Sequence, residues 1–191
     1  VGTNHASKRG GEGIHYVDLN SSVQLEMLWV KPGSFTMGSP ITEPGRKVSP
    51  RWTPDETQHK VTLTQGFYLG KHEVTQAQYE AVMTGNKAGL SATPSFFWGN
   101  PNRPVEEVSW NDIQLFLHRL NAQQAVHMPA GWTYVLPTEA QWEYACRAGT
   151  TTAYSWGETI DGSKANHFSS ELLALPRELR MGWKTHEVGK Y

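Results

Sequence analysis

The chain has 191 residues, 17 lysines and arginines against 18 aspartates and glutamates, and a formal net charge of −1. That near-neutral balance excludes the basic face of a non-specific nucleic-acid binder, and no run of about 18 apolar residues is available to span a membrane. A single cysteine excludes an internal disulfide, while eight tryptophans and 18 glycines point to many turns pinned by large rings rather than a helical bundle. Val1 opens the chain without the charged-then-apolar pattern of a secretion signal, so a processed or fragmentary start is expected.

In chain order, residues 1–16 read as a flexible tail, because the first fourteen (VGTNHASKRGGEGI) are polar and glycine-rich. "EMLWV", the turn "KPGS" and "FTMGS" then read as a β-hairpin. Residues 40–57 hold four prolines and little apolar content, which predicts a loop. "HKVTLTQGFYLG" gives two short strands, with Val61 and Leu63, then Phe67 and Leu69, alternating with polar residues. Thr75 and Gln78 have capping-box spacing and predict a helix ended by Gly85, with Tyr79, Val82 and Met83 on one face. Ser109 and Asp112 open a second helix, whose apolar stripe is Ile113, Phe116, Leu117 and Leu120. In "VLPTEAQWEYACRAG", Thr138 and Gln141 open a third, with Trp142, Ala145 and Cys146 expected on the buried face and Gly149 as its stop. Residues 86–104 and 149–187 are long loops. Short strands, three short capped helices and long irregular loops make an α+β domain over residues 17–191.

Candidate chemistry is sparse. Cys146 lies at the carbonyl end of its helix beside Trp142, which favours a buried, inert thiol. His72, His118, His127, His167 and His186 form no H-E-x-x-H and have no C-x-x-C partner. The spacing of Glu73, Glu106, Glu107, Glu139 and Glu143 selects no acid/base pair. Phosphate-loop, dinucleotide-fold and nucleophile-elbow motifs are absent. The loop "ANHF" (165–168) offers an asparagine oxygen and carbonyls of the kind calcium uses. Trp98, Trp132, Trp156 and Trp183 fall in loops, where they either pin the backbone or line a binding surface.

Four segments carry a family resemblance: "WVKPGSFTMGS", "HKVTLTQGFYLGKHEVTQAQYEAVM", "RPVEEVSWNDIQLF" and "LPTEAQWEYACRAGTTTAYSWG". In this order they resemble the formylglycine-generating enzymes, or sulfatase-modifying factors, from about residue 25 to residue 191. The resemblance implies a C-type-lectin-like α+β fold. It also implies kinship with copper- and oxygen-dependent oxidases that convert a sulfatase cysteine to formylglycine, and hence a protein or peptide substrate. Relatives that act on sulfur-containing small molecules or siderophore precursors use the same scaffold.

The family's copper sits on two cysteines downstream of a Gly-Asn-x-Trp-Glu-Trp motif. Neither is present, so these residues are expected to correspond to the N-terminal two-thirds of the domain and to be inactive alone, with a second chain or fragment completing it. In some members a cysteine of the third helix makes a structural disulfide to that later segment, and another structural cysteine matches Leu117 here. The resemblance implies calcium on Asn166, His167 and the Trp183 carbonyl, although Met181 stands where a family carboxylate would. A secreted or extracytoplasmic location is expected on the same ground. The alternative is a non-catalytic ligand- or protein-binding module on the same scaffold.

Overall fold

The computed structural model describes residues 2–5, 13–43, 46, 56–166 and 184–191. Its strands are β1 (Gly2–His5), β2 (Ile14–Asp18), β3 (Gln24–Val30), β4 (Gly33–Met37), β5 (His59–Leu63), β6 (Phe67–Gly70) and β7 (Trp132–Val135). Its helices are α1 (Gln76–Met83), α2 (Trp110–Gln124) and α3 (Glu139–Arg147). The strands form an antiparallel five-stranded sheet in the order β2-β3-β6-β1-β7 and a separate β4-β5 pair.

Two expectations change here. Residues 1–16 are not simply a tail. Gly2–His5 pairs along β7, Gly2 also faces Leu69 of β6, and Ile14–Asp18 pairs with β3. Backbone pairing needs no apolar side chain, and β2 turns Ile14 and Tyr16 outward while Val17 faces the core, so neither strand stands out by hydrophobicity. The expected hairpin of residues 26–39 also does not form. Both edges of β3 are taken by β2 and β6, so after Pro32 the chain leaves that sheet and β4 pairs with β5 instead.

The starts of α1, α2 and α3 are capping boxes: Thr75–Gln78, Ser109–Asp112 and Thr138–Gln141 each exchange side-chain and backbone hydrogen bonds. The reciprocal bonds satisfy amides that a helix start otherwise leaves unpaired. The core lies between the inner face of the five-stranded sheet and the pair α1–α2. Val17, Leu25 and Met27 meet Tyr79, Val82, Met83, Phe116, Leu117 and Leu120 there. Tyr79 and Phe116 stack with ring centres 5.5 Å apart and nearly parallel. Ile113, at the end of the expected stripe, is only half-buried and packs against this cluster.

Side-chain amides lock the helices to the strands. Asn121 on α2 donates Nδ2–H to the carbonyls of Leu117 and Tyr134, and its Oδ1 accepts from the Tyr134 amide and the Thr133 hydroxyl. Strand β7 is a sheet edge, and Asn121 meets the backbone groups that an edge would leave open. Gln124 donates to the Asp18 carbonyl and Gln78 to the Gln24 carbonyl. Arg119 of α2 donates to the carbonyls of Val82 and Thr84 at the end of α1.

Burial pushes the Tyr134 phenol up to about 12. The folded state therefore holds the neutral phenol, and the stability this contributes is complete below pH 10 and is lost as pH rises from 10 toward 12. Denaturant unfolding across that window will show a steeper decline for the native chain than for Tyr134→Phe, whose curve lacks this term.

Candidate functional site

Helix α3 carries the densest sequence motif, and its attachment defines the local geometry. Glu143 and Arg147 are one turn apart and form an ion pair, with Nε to Oε1 at 2.8 Å. Together they bracket the Gly38 residue at the end of β4. Its amide donates to Glu143 Oε1 at 2.9 Å, and its carbonyl accepts from Arg147 Nη2 at 2.9 Å. Gly38 sits at φ +92°, where a Cβ would come within 2.6 Å of the Glu56 carbonyl oxygen. Only glycine supplies both the conformation and the clearance. Next to it, Ser39 donates its amide to the Glu56 carbonyl and its hydroxyl to the Glu56 carboxylate, and Arg46 donates to the Ser39 carbonyl. Tyr144 completes the contact, with its ring 5.3 Å from that of Phe35 and its hydroxyl against Gly33.

This anchoring reverses the expected orientation of α3. The inward face holds Glu143, Tyr144 and Arg147, while Trp142 is 59% exposed and Cys146 is free and exposed. Successive helix positions differ by roughly 100°, so with Glu143, Tyr144 and Arg147 turned to the strands, the 142/146 pair lies on the far side of the helix from Tyr144. The charged pair wins because it satisfies two backbone groups, and no residue of α3 is fully buried. The helix ends with Ala148 in the left-handed region at φ +47°, followed by Gly149 at φ +89°.

Cys146 and Trp142 line an open groove of about 900 Å³ between α3, β4 and the paired strands β3 and β6, which contribute Leu28 and Leu69. Among the described residues, no histidine or carboxylate lines the groove to serve the thiol as a base. Lys31 and Lys71 also line it, and Lys71 is paired with Glu26 at 3.0 Å.

The other sequence candidates stay apart. The Glu106 carboxylate accepts from the amides of Phe96 and Phe97 and fixes that loop. Glu107 is exposed in the left-handed region at φ +60°, and Glu139 lies in the first turn of α3. His118 and His127 are exposed, and the His72 ring lies against Gly189. Among the described residues, no group of three His, Cys, Asp or Glu side chains is placed to hold a metal.

Of the three residues expected to bind calcium, Asn166 is described and donates Nδ2–H to the Lys184 carbonyl at 3.2 Å. His167 and Trp183 lie outside the described residues, as does Met181. The tryptophans expected in loops divide, and Trp132 instead opens β7, pairing with His5 of β1. Trp132 packs with Trp29 and Tyr68, and Trp156 stacks on Tyr154 and donates to the Thr159 carbonyl. Trp98 is 78% exposed. Sequence reasoning missed the Gly38 bracket, whose one available signal was Glu143 and Arg147 at i, i+4 spacing.

A profile of the sulfatase-modifying factor enzyme 1-like domain matches residues 18–191. A formylglycine-generating enzyme of Streptomyces coelicolor is 38% identical over 63 residues, 32% of this chain and 16% of that protein. The formylglycine-generating enzyme of Mus musculus is 24% identical over 193 residues, covering 76% of this chain and 46% of that one. Thus the chain spans less than half the length of these two relatives. Among solved structures, PvdO from Pseudomonas aeruginosa superposes with a TM-score of 0.56 at 27% identity, over 75% of this chain and 53% of that one. No helix among the described residues is long and apolar enough to cross a membrane.

Removing the guanidinium strands the Glu143 carboxylate and the Gly38 carbonyl together, both part-buried. Arg147→Ala will therefore lose about 2 kcal/mol in chemical denaturation. Arg147→Lys will recover only part, because a lysine cannot make the forked contact.

Proposed function

The chain belongs to the sulfatase-modifying factor enzyme 1-like family, and from that premise we propose that it supplies scaffold to a protein related to the oxidases that convert a sulfatase cysteine to formylglycine. On this reading the 191 residues do not catalyse that oxidation by themselves. The observation behind it is the thiol inventory. The copper site of the family needs two cysteines, and this sequence holds one, Cys146, exposed in a groove where no described lining residue is a histidine or carboxylate. The residues present do not fit the copper centre. The thiolates would come from protein beyond these residues, in the same polypeptide or in a partner. Incubation of the chain with copper, oxygen and a sulfatase-type cysteine peptide, followed by intact-mass measurement, is expected to return the peptide unchanged. Conversion of its cysteine would overturn the proposal.

Calcium belongs to the same reading, on Asn166, His167 and the Trp183 carbonyl. Its support is the carboxamide of Asn166 beside the Lys184 carbonyl. A half-turn of that amide would bring two hard oxygens side by side toward one cation. Saturating calcium is then expected to raise the melting temperature by several degrees, since a ligand at about 100 times its Kd adds about 2.7 kcal/mol. Asn166→Ala would abolish the shift, and no shift in the native chain would remove calcium from the account.

A second reading, a non-catalytic ligand-binding module, is favoured by the exposure of Trp98 and Phe96 on a loop whose backbone is held in place.

A further inference from the structure

A second cleft, of about 510 Å³, lies between α1 and the loop 92–101, away from Cys146. Gln76 and Glu80 line it from α1, Thr93, Trp98 and Asn100 from the loop, and Val105 also contributes. Trp98 is 78% exposed and its neighbour Phe96 71%. Among the described residues the Trp98 indole has no ring partner and no hydrogen bond.

The exposure does not come from a loose loop. Asn86 accepts from the amides of Ala88 and Leu90 and donates to the carbonyls of Met83 and Leu90. Glu106 holds the amides of Phe96 and Phe97, and the Ser95 hydroxyl accepts from the Glu106 amide. Gln76 Nε2 donates to the carbonyls of Phe97 and Pro104, and Arg103 to that of Phe97. Asn100 Oδ1 accepts from the Asn102 amide. The backbone on both sides of Trp98 is thus fixed before any ligand arrives, which lowers the ordering cost of binding. Two large rings held in water on such a backbone, Phe96 and Trp98, offer apolar contact area to a ligand.

The charge in the cleft selects the ligand class. Among the described residues Glu80 is the one ionisable side chain in its lining, it is exposed, and its carboxylate has no ion pair or hydrogen bond. Arg103 does not line the cleft. An anion would meet an uncompensated carboxylate, and a neutral ligand would leave that charge unused. A cation is attracted by the carboxylate and by the negative face of the indole together.

We propose that this cleft binds an alkylammonium group, with the cation against the Trp98 ring and Glu80 as its counter-charge. The group can come from a small molecule or from a lysine side chain. The proposal gives the ligand-binding reading a chemical class and is independent of whether the chain takes part in oxidation.

The test is titration of the whole chain with choline and with its uncharged isostere 3,3-dimethylbutan-1-ol, read by calorimetry and by the Trp98 indole N–H resonance. Choline is expected to bind and to move that resonance, with affinity roughly five- to tenfold above that of the alcohol. Trp98→Ala and Glu80→Gln should each weaken choline binding by a similar factor, while Trp110→Ala, at another exposed tryptophan, should not. Both tested side chains are exposed, so the variants keep the core intact. A third arm uses a short peptide with a single lysine. Binding more than tenfold tighter than choline would identify a peptide side chain as the source, and comparable binding a small molecule. Equal binding of choline and the alcohol at Trp98 would overturn the ammonium proposal and leave a ligand-binding module standing. Binding of none of the probes would overturn the proposal and remove the support for the module as well.

Discussion

The bracket around Gly38 is the constraint on which the placement of α3 and the groove depends. A helix that fully buries no side chain has little hydrophobic reason to sit anywhere in particular. Here an ion pair closes on the amide and carbonyl of a single residue, and that residue is in a conformation open to glycine. The pair is only about one-fifth exposed on each side, so solvent screens it less than a surface pair. Because the same glycine leads into Ser39, whose amide and hydroxyl both bond Glu56, the bracket also joins the end of β4 to the start of β5. Tyr144 on Phe35 adds apolar contact, but the direction in which α3 presents its side chains follows from the charges.

The same economy runs through the rest of the domain. Long loops must find partners for their backbone groups without sheet or helix ladders. In this chain a few amides and carboxylates carry much of that work: Asn121 at the edge of β7, Asn86 and Glu106 in the loop after α1, and Gln76 between them. Each of these residues has the look of a catalytic or ligand-binding side chain when read in isolation. Each is spent on the main chain.

This division of labour separates scaffold from site. The carboxylates and amides that are satisfied internally hold shape, and the groups left over face solvent: Cys146 and Trp142 in one groove, Trp98 and Glu80 in the other cleft. The family match covers nearly the whole chain, yet the chain covers less than half of the named enzymes, so shared scaffold is what the match transmits most directly.

The sequence by itself determined the helix starts, the apolar faces of α1 and α2, the α+β class and the family. Capping boxes and 3.6-residue periodicity are local, and each is complete within a few positions. Tertiary structure alone decided the strand partners, the recruitment of Gly2–His5 into the sheet and the orientation of α3. Strand pairing is a contest between edges far apart in the chain, and β4 was lost to β3 because β6 arrived from about 40 residues away. Burial of Trp142 and Cys146 was expected from their hydrophobicity, but the helix rotation was set by the backbone of Gly38, 105 residues before Glu143. Nothing in the hydropathy of α3 encodes a hydrogen bond to a peptide group in another strand.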